Sequence, residues 1–385
     1  MEGAVRVLSV RVSAELLAVM EAQGSVLTNK YAEGYPSRRY YGGCEVADSI
    51  EDLARTRAKT LFKAEAANVQ PHSGTTANMS ALLALAGPGG RIVGMSLKDG
   101  GHLTHGHPRS HTGMVFAAKQ YGVDGNGRID MDQVRSLVKE HKPHVLIAGG
   151  SAYARNIDYA AFAEIAKEHE AFLMADIAHP AGLIAAGLVP SPVGLADVVT
   201  MTTHKTLRGP RGGMILSSSA VAKKINSSVF PGSQGGPLVQ QIAGKAVAFG
   251  EALRPEFRAY QEQVQANAAH LAKHLESEGL KIVSGGTDNH IVLVDLQGTG
   301  VTGADVEERA LAAGLAVNKN AVPNDPLPPM VTSGLRLGTP AVTTRGFGTT
   351  EIERIAEIVV GLVRGEDPER YRATVQELCE AYPLP

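Results

Sequence analysis

Cysteine is almost absent: Cys44 and Cys379 are the only two in 385 residues. They are too few and too distant for a disulfide framework or a cysteine zinc site, which fits a reducing cytosol. Nor is there an excess of charge of one sign. The 37 lysines and arginines stand against 39 aspartates and glutamates, a formal net charge of -2, and that balance argues against a dedicated nucleic-acid binder. The opening segment MEGAVRVLSVRVS lacks the apolar core and small-residue cleavage pattern of a secretory signal. The one long uncharged run, from His179 to Ala196, carries three prolines and three glycines and reads as loop and turn rather than a membrane span. The 43 glycines follow no fixed period, so repeat and low-complexity architectures fit poorly. A cytoplasmic protein with neither nucleic-acid nor membrane partners is expected.

What the chain does have is length and alternation. At 385 residues it exceeds what one core usually serves, and two domains are expected. Apolar runs ending in polar residues alternate with helical patterns: HVLIAGGSAY (144–153), YAAFAEIAKEHE (159–170), AFLMADIAH (171–179) and DVVTMTTHK (197–205). That pattern predicts an α/β fold with a mostly parallel sheet covered by helices, in which functional groups gather beyond the carboxyl ends of the strands. Asp176, His179 and Lys205 lie at such ends. From Pro237 to Leu280 the pattern turns helical, interrupted at Pro255, and beyond it strands and helices alternate again as a smaller α+β unit. The expected domains are 1–275 and 276–385.

Lys205 sits in VVTMTTHKTLRGPRGG (198–213), where a basic patch, a solvated charge cluster and an amine held in a pocket compete as readings. A lysine and an acid at neighbouring strand ends, with a small-residue loop opening a helix, suggest pyridoxal phosphate. HSGTTANMSALLAL (72–85) places Ser73, Gly74 and Thr75 before an apolar helix, where amide groups and the helix dipole favour an anion; an ordinary helix cap reads the same way. Asp176, leaving an apolar strand, is costly to bury without a cationic or donor partner; a protonated pyridine nitrogen is one such partner, and a turn or cap aspartate is the alternative. His102, His105, His107 and His111 lack the spacing of a metal site, and an imidazole stacked on a cofactor ring suits one of them better. NKYAEGYPSRRYYGG (29–43) surrounds Glu33 with tyrosines, as an acid/base site or as a surface loop or subunit contact.

Taken together, LTNKYAEGYP, RRYYGGCE, NVQPHSG, GGHLTHG, AGGSAYAR, DIAHPAGL, TTHKTLRGPRGG, FPGSQGGP, SGGTDNH, VNKN and SGLRLGTPAVTTRG, in this order, resemble the serine hydroxymethyltransferase family from about Gly24 to Val363. The resemblance implies an aspartate-aminotransferase-like fold with active sites shared across a homodimer. It also implies pyridoxal phosphate as cofactor, tetrahydrofolate as one-carbon acceptor, and interconversion of serine and glycine. Carried over by motif, Lys205 would bind the cofactor covalently beside His204, Asp176 would pair with the ring nitrogen, and His102 would stack on the ring. Ser151 and His179 would lie near its phenolic oxygen. Gly74 and Thr75 would hold the phosphate, helped across the interface by Tyr31 and the backbone of Gly235 and Gly236. Arg336 would clamp the substrate carboxylate. Glu33 would move a proton at the hydroxymethyl group or folate, with Tyr41 beside it, and Leu97, Leu103, Tyr40 and Asn320 would face the folate.

The chain departs from the family pattern in places. Where an Ile-Ala-Ser-Glu-Asn stretch is usual it reads LSVRVSAELLAVM (8–20), which puts Arg11, or with a small shift Ser9 or Ser13, at the serine that approaches the substrate carboxylate. Arg11 there favours an altered amino-acid substrate. Thr75-Thr76, Lys98-Asp99, Ala154, Met201 and Ser37 are milder departures, and His107, Arg109 and His111 are unusual residues just after Leu103. A threonine aldolase or transaldolase, or a hydroxymethyltransferase for an α-methyl amino acid, is therefore the alternative enzyme. A non-catalytic scaffold is the alternative from another class; the intact set Lys205, Asp176, His102 and Arg336 speaks against it.

Overall fold

The computed structural model describes residues 14–383; Arg11, Ser9 and Ser13 lie outside them. A seven-stranded sheet organises the larger part of the chain: β1 (Ala66–Asn68), β2 (Arg91–Met95), β3 (Ala117–Tyr121), β4 (Val145–Gly149), β5 (Phe172–Asp176), β6 (Val198–Thr202) and β7 (Gly213–Ser217). Their order is β1-β7-β6-β5-β4-β2-β3. Strands β2 to β6 pair in parallel, and only β7 runs against its neighbours.

The sequence dictates that arrangement through burial on both faces. Strand β4 is VLIAG with every residue buried, a continuous apolar run of the kind a helix-covered parallel strand needs. Its residues divide with period two: Leu146 and Ala148 enter one core cluster with Leu173 and Ala175, while Val145 and Ile147 enter another with Met174. Helices α1 (Ala14–Gln23), α2 (Glu45–Phe62), α3 (Gly74–Ala86), α4 (Met131–His141) and α5 (Tyr159–Glu168) precede the last two strands, and α6 (Val239–Ala252) follows them. Helix α3 starts where Ser73 Oγ accepts the Thr76 N–H at 3.0 Å, a cap of about 1 kcal/mol.

Helix α7 (Pro255–Ser277) carries the chain onward, with Pro255 in its first turn. There a proline has no hydrogen bond to lose, so it starts this helix rather than interrupting a longer one. Phe257 packs into the first core, while Ala268, Leu271, Ala272 and Leu275 belong to a second. That second core lies under an antiparallel sheet, β8 (Lys281–Ile282), β9 (Ile291–Asp295), β10 (Asn318–Asn320) and β11 (Gly334–Gly338), ordered β8-β9-β11-β10. Helices α8 (Gly303–Ala312), α9 (Thr349–Val363) and α10 (Glu369–Ala381) complete it. The run 179–196, read as loop and turn, contains a short helix at Ala181–Ala185. Among the described residues no helix is long and apolar enough to cross a membrane.

Candidate active site

Asp176 ends β5 and is buried, and its neighbours account for its charge. Oδ2 accepts from His105 Nε2 at 2.9 Å and Asn78 Nδ2 at 2.8 Å, and Oδ1 accepts from the Ala178 N–H at 3.0 Å. Burial works to raise the carboxyl, but the hydrogen bond and field of His105, then the field of His102 and the Asn78 hydrogen bond, outweigh it and hold the group ionised well below the usual carboxylate range. The sequence reading offered a pyridine nitrogen as this aspartate's partner. The chain itself already brings two donors to one oxygen.

The network also orients the imidazoles. His102 N–H donates to His105 Nδ1 at 3.2 Å, leaving His105 Nε2 to donate to Asp176. Asn78 gives its second hydrogen to Thr104 Oγ1 at 2.7 Å. The Thr104 hydroxyl then points to His102 Nδ1 at 2.7 Å, which also accepts the Thr104 N–H at 3.2 Å. His102 Nδ1 is thus an acceptor and Nε2 carries the hydrogen.

Lys205 lies three residues beyond β6 and is partly buried; among the described residues no carboxylate is bonded to it. Burial pulls its amine below the ordinary lysine value, Asp176 opposes, and Arg336 and Arg211 pull the same way as burial. His204 is held near 4 by burial and by Arg211, whose Nη1 donates to its Nε2 at 3.1 Å. His179 stacks on His290 at 5.7 Å between centroids. Burial and the nearby Lys205 push His179 far down and His290 to about 3, so this end of the sheet holds neutral rings. Arg336, on β11, donates Nη1 to Ser151 O at 3.1 Å and has no carboxylate partner among the described residues. Ser151 in turn donates its N–H to Gly100 O at 2.7 Å, tying the Ser151 turn to the loop that carries Leu97, His102 and Leu103. Lys205, His204, His179, His290 and Arg336 line one cleft of about 510 Å³.

Gly74 and Thr75 begin α3 beside this group. A Cβ on Gly74 would meet Thr202 Cγ2 at 2.6 Å, so the helix start is pressed against the end of β6. Leu97 and Leu103 are exposed, and Asn320 lies on the edge strand β10, its side-chain amide donating to Ala321 O at 2.7 Å. The unusual His107 closes a turn, its Nδ1 accepting the Arg109 N–H at 3.2 Å, and Ser110 caps the short helix that His111 begins.

Another set of named residues collects elsewhere. Tyr31 OH donates to Glu33 Oε1 at 3.2 Å, which raises the Tyr31 hydroxyl, and the Tyr31 and Tyr41 rings meet edge-on at 5.2 Å. Gly235 and Gly236 face Glu33: added Cβ atoms would lie 3.5 and 3.6 Å from its side chain. Tyr40 meets Phe230 edge-on at 5.6 Å. Tyr31, Tyr40 and Tyr41 are each more than half exposed. Among the described residues neither Glu33 nor Tyr41 bonds to Lys205, Asp176, His102 or Arg336.

Sequence reasoning missed Asn78, Thr104 and His290 and gave His105 no role. The one visible signal was Asn78, a lone amide in the apolar stretch of α3.

The arrangement offers a buried ionised carboxylate, an amine of lowered basicity, a guanidinium awaiting an anion and a helix N-terminus suited to phosphate. That donor set fits pyridoxal phosphate and an amino-acid carboxylate. Sequence comparison agrees: the profile of the family described as serine hydroxymethyltransferase matches residues 9–359. A serine hydroxymethyltransferase of Desulforapulum autotrophicum is 57% identical over 369 residues, covering 95% of this chain and 89% of its own. Those of Rhizorhabdus wittichii and Legionella pneumophila are each 56% identical, covering 95% of this chain and 86% and 89% of their own.

Proposed function

The chain belongs to the serine hydroxymethyltransferase family, and from that premise we propose what each named residue does. The protein is a pyridoxal-phosphate enzyme of fold type I that interconverts serine and glycine with tetrahydrofolate as one-carbon acceptor. Its relatives do not favour the aldolase or α-methyl amino-acid alternatives. When bound, pyridoxal phosphate supplies a ring that takes up the electron pair of the breaking Cα–Cβ bond.

Asp176 holds the proton on the ring nitrogen, and His105 and Asn78 keep its carboxylate charged and aimed. Lys205 would hold the cofactor through its amine, and burial, which lowers the basicity of that amine, favours its action as a nucleophile. His102, which Thr104 and Asn78 hold in one tautomer, would stack on the ring. Ser151 and His179 would hold the phenolic oxygen, and Gly74 and Thr75 would present amides to the phosphate. Arg336 forks the serine carboxylate, placing the hydroxymethyl group where Glu33 and Tyr41 move a proton at its oxygen. Leu97, Leu103, Tyr40 and Asn320 line the folate path.

Glu33, Tyr41, Tyr31, Gly235 and Gly236 serve the site of a partner chain in a homodimer, a reading supported by the exposure of Tyr31, Tyr41 and Gly235 and by the absence, among the described residues, of bonds from Glu33 or Tyr41 to the Lys205 group. The large domain comprises 1–275 and the small one 276–385, supported by two separate cores; the last turns of α7, from Ala268 to Leu275, already pack into the second. A cytoplasmic location is in keeping with the near absence of cysteine.

The observation that carries these assignments is the pair of partly buried cations, Lys205 and Arg336, lining one cleft without carboxylate partners among the described residues. The test is glycine formation from serine with and without tetrahydrofolate, by wild type and Lys205→Ala. Turnover that needs folate and is lost in the variant is expected; a folded variant that turns over at the wild-type rate defeats the lysine assignment.

A further inference from the structure

Lys245, on α6, is only 1% exposed and belongs to neither group of site residues. Its ammonium donates to Val69 O at 2.6 Å, Gly213 O at 2.7 Å and Pro71 O at 3.1 Å. A lysine has three N–H donors and no acceptor, so every hydrogen goes to a main-chain carbonyl. A bound monovalent cation would be surrounded in the same way.

The three carbonyls belong to two segments, one leading into α3 and one leaving the Lys205 turn. Val69 and Pro71 lie on the chain entering α3, just before the Ser73 cap, and Gly213 opens β7, just after the turn that carries Lys205. The segments also meet directly, because the Gly213 N–H donates to Pro71 O at 3.0 Å. They are too close for any side chain at Gly213, where a Cβ would stand 2.2 Å from Ser73 O. The Lys205 turn is anchored at the same place: the Thr203 N–H donates to Gly212 O at 3.1 Å and Thr203 Oγ1 to Pro210 O at 2.6 Å. Without a cation, three carbonyl dipoles would converge on a buried point with Val69 O and Gly213 O deprived of a charged donor. Burial pushes the ammonium down to about 7 while Glu51 pulls it up, and the three carbonyl acceptors further favour the charged form.

We propose that Lys245 is a positioning residue, an internal cation that clamps the chain entering α3 to the strand leaving the Lys205 turn and so sets the spacing between phosphate anchor and covalent lysine. The proposal rests on the assignment of those two groups to one cofactor. The clamp itself is a property of the protein without cofactor and is tested there first.

In full-length Lys245→Met apoprotein, amide hydrogen exchange in peptides covering 69–76 and 203–214 is expected to quicken about tenfold or more, the loss of a charge-assisted hydrogen bond. Peptides from β9 and β11 should be unchanged. Pyridoxal phosphate should bind the variant about tenfold more weakly, with the serine KM at saturating cofactor moving less than about twofold. If the methionine variant does not fold, Lys245→Ala is assayed with ethylammonium, which should restore protection and cofactor affinity. Tetramethylammonium, having no N–H to donate, should not. A folded methionine variant with wild-type protection in both segments overturns the clamp, as does rescue by tetramethylammonium equal to that by ethylammonium. A wild-type protein that fails to bind pyridoxal phosphate would instead defeat the cofactor assignment, with the exchange data still deciding the clamp.

Discussion

At Arg336 a planar guanidinium is sunk into the cleft with one hydrogen bond among the described residues, to Ser151 O, and burial lowers its affinity for its own proton. A carboxylate arriving there replaces water with two parallel charge-assisted bonds, which a lysine cannot reproduce. Arg336→Lys is therefore expected to raise the serine KM about 10- to 100-fold, the worth of one charged hydrogen bond, with a smaller change in kcat; steady-state kinetics measure both. His290 gives a prediction with a sign. Its imidazole falls from an ordinary 6.5 to about 3 on folding, so between those values the unfolded chain binds a proton that the folded one refuses. Stability is then lost as pH falls below 6.5, by about 2 kcal/mol at pH 5 from this group. His290→Phe keeps the stack on His179 without titrating, so its melting temperature should fall less than that of wild type between pH 7 and 5. Lys205 and Asp176 were legible because each ends an apolar strand. His105 and Asn78 were not, because their bonds to Asp176 span 71 and 98 residues, and no local pattern encodes a pairing of that range.

Helix α3 shows what an element adds to its residues. Its first turn offers amides to an anion only if it lies against the end of β6, and Gly74 permits that approach, since a Cβ would sit 2.6 Å from Thr202 Cγ2. Gly74→Ala is expected to destabilise the protein by about 1–3 kcal/mol through overpacking and to weaken cofactor binding as the helix start backs away. Thr202→Ser removes the methyl in question while keeping the hydroxyl that donates to Ala178 O. Adding it to Gly74→Ala should recover most of both losses, and a double-mutant cycle in thermal melts and cofactor titrations would show it. At this scale the sequence spoke clearly where periodicity and burial coincide, as in β4, β5 and β6. It was silent on β10, whose residues Asn318, Lys319 and Asn320 are polar and form a strand only because β11 offers an edge. It also hid the helix Ala181–Ala185 behind flanking prolines and glycines, which mark where chain direction changes but not what lies between.

Across the whole molecule, the residues assigned to one reaction fall into two groups that do not bond to each other within a chain. Lys205, Asp176, His102 and Arg336 gather near the carboxyl ends of the parallel strands, while Glu33 sits with Tyr31 and Tyr41, both more than half exposed. The proposed homodimer would reconcile them, because an isologous interface can set each chain's second group against its partner's first. By resemblance the sequence named both groups and set Tyr31, Gly235 and Gly236 across an interface; that Glu33 and Tyr41 belong with them follows from their contacts in three dimensions. The arrangement predicts complementation between two inactive proteins. Lys205→Ala lacks the covalent lysine and Glu33→Gln lacks the proton-moving carboxylate, so each homodimer should be inactive. In a mixed dimer, one site inherits both lesions and the other inherits neither. Unfolding and refolding the two proteins together in equal amounts makes half of the dimers mixed, each with one working site of two, so activity should return to about a quarter of wild type. If Glu33 instead served the lysine of its own chain, every site in the mixture would carry one lesion and no activity would return, which would refute the shared-site reading.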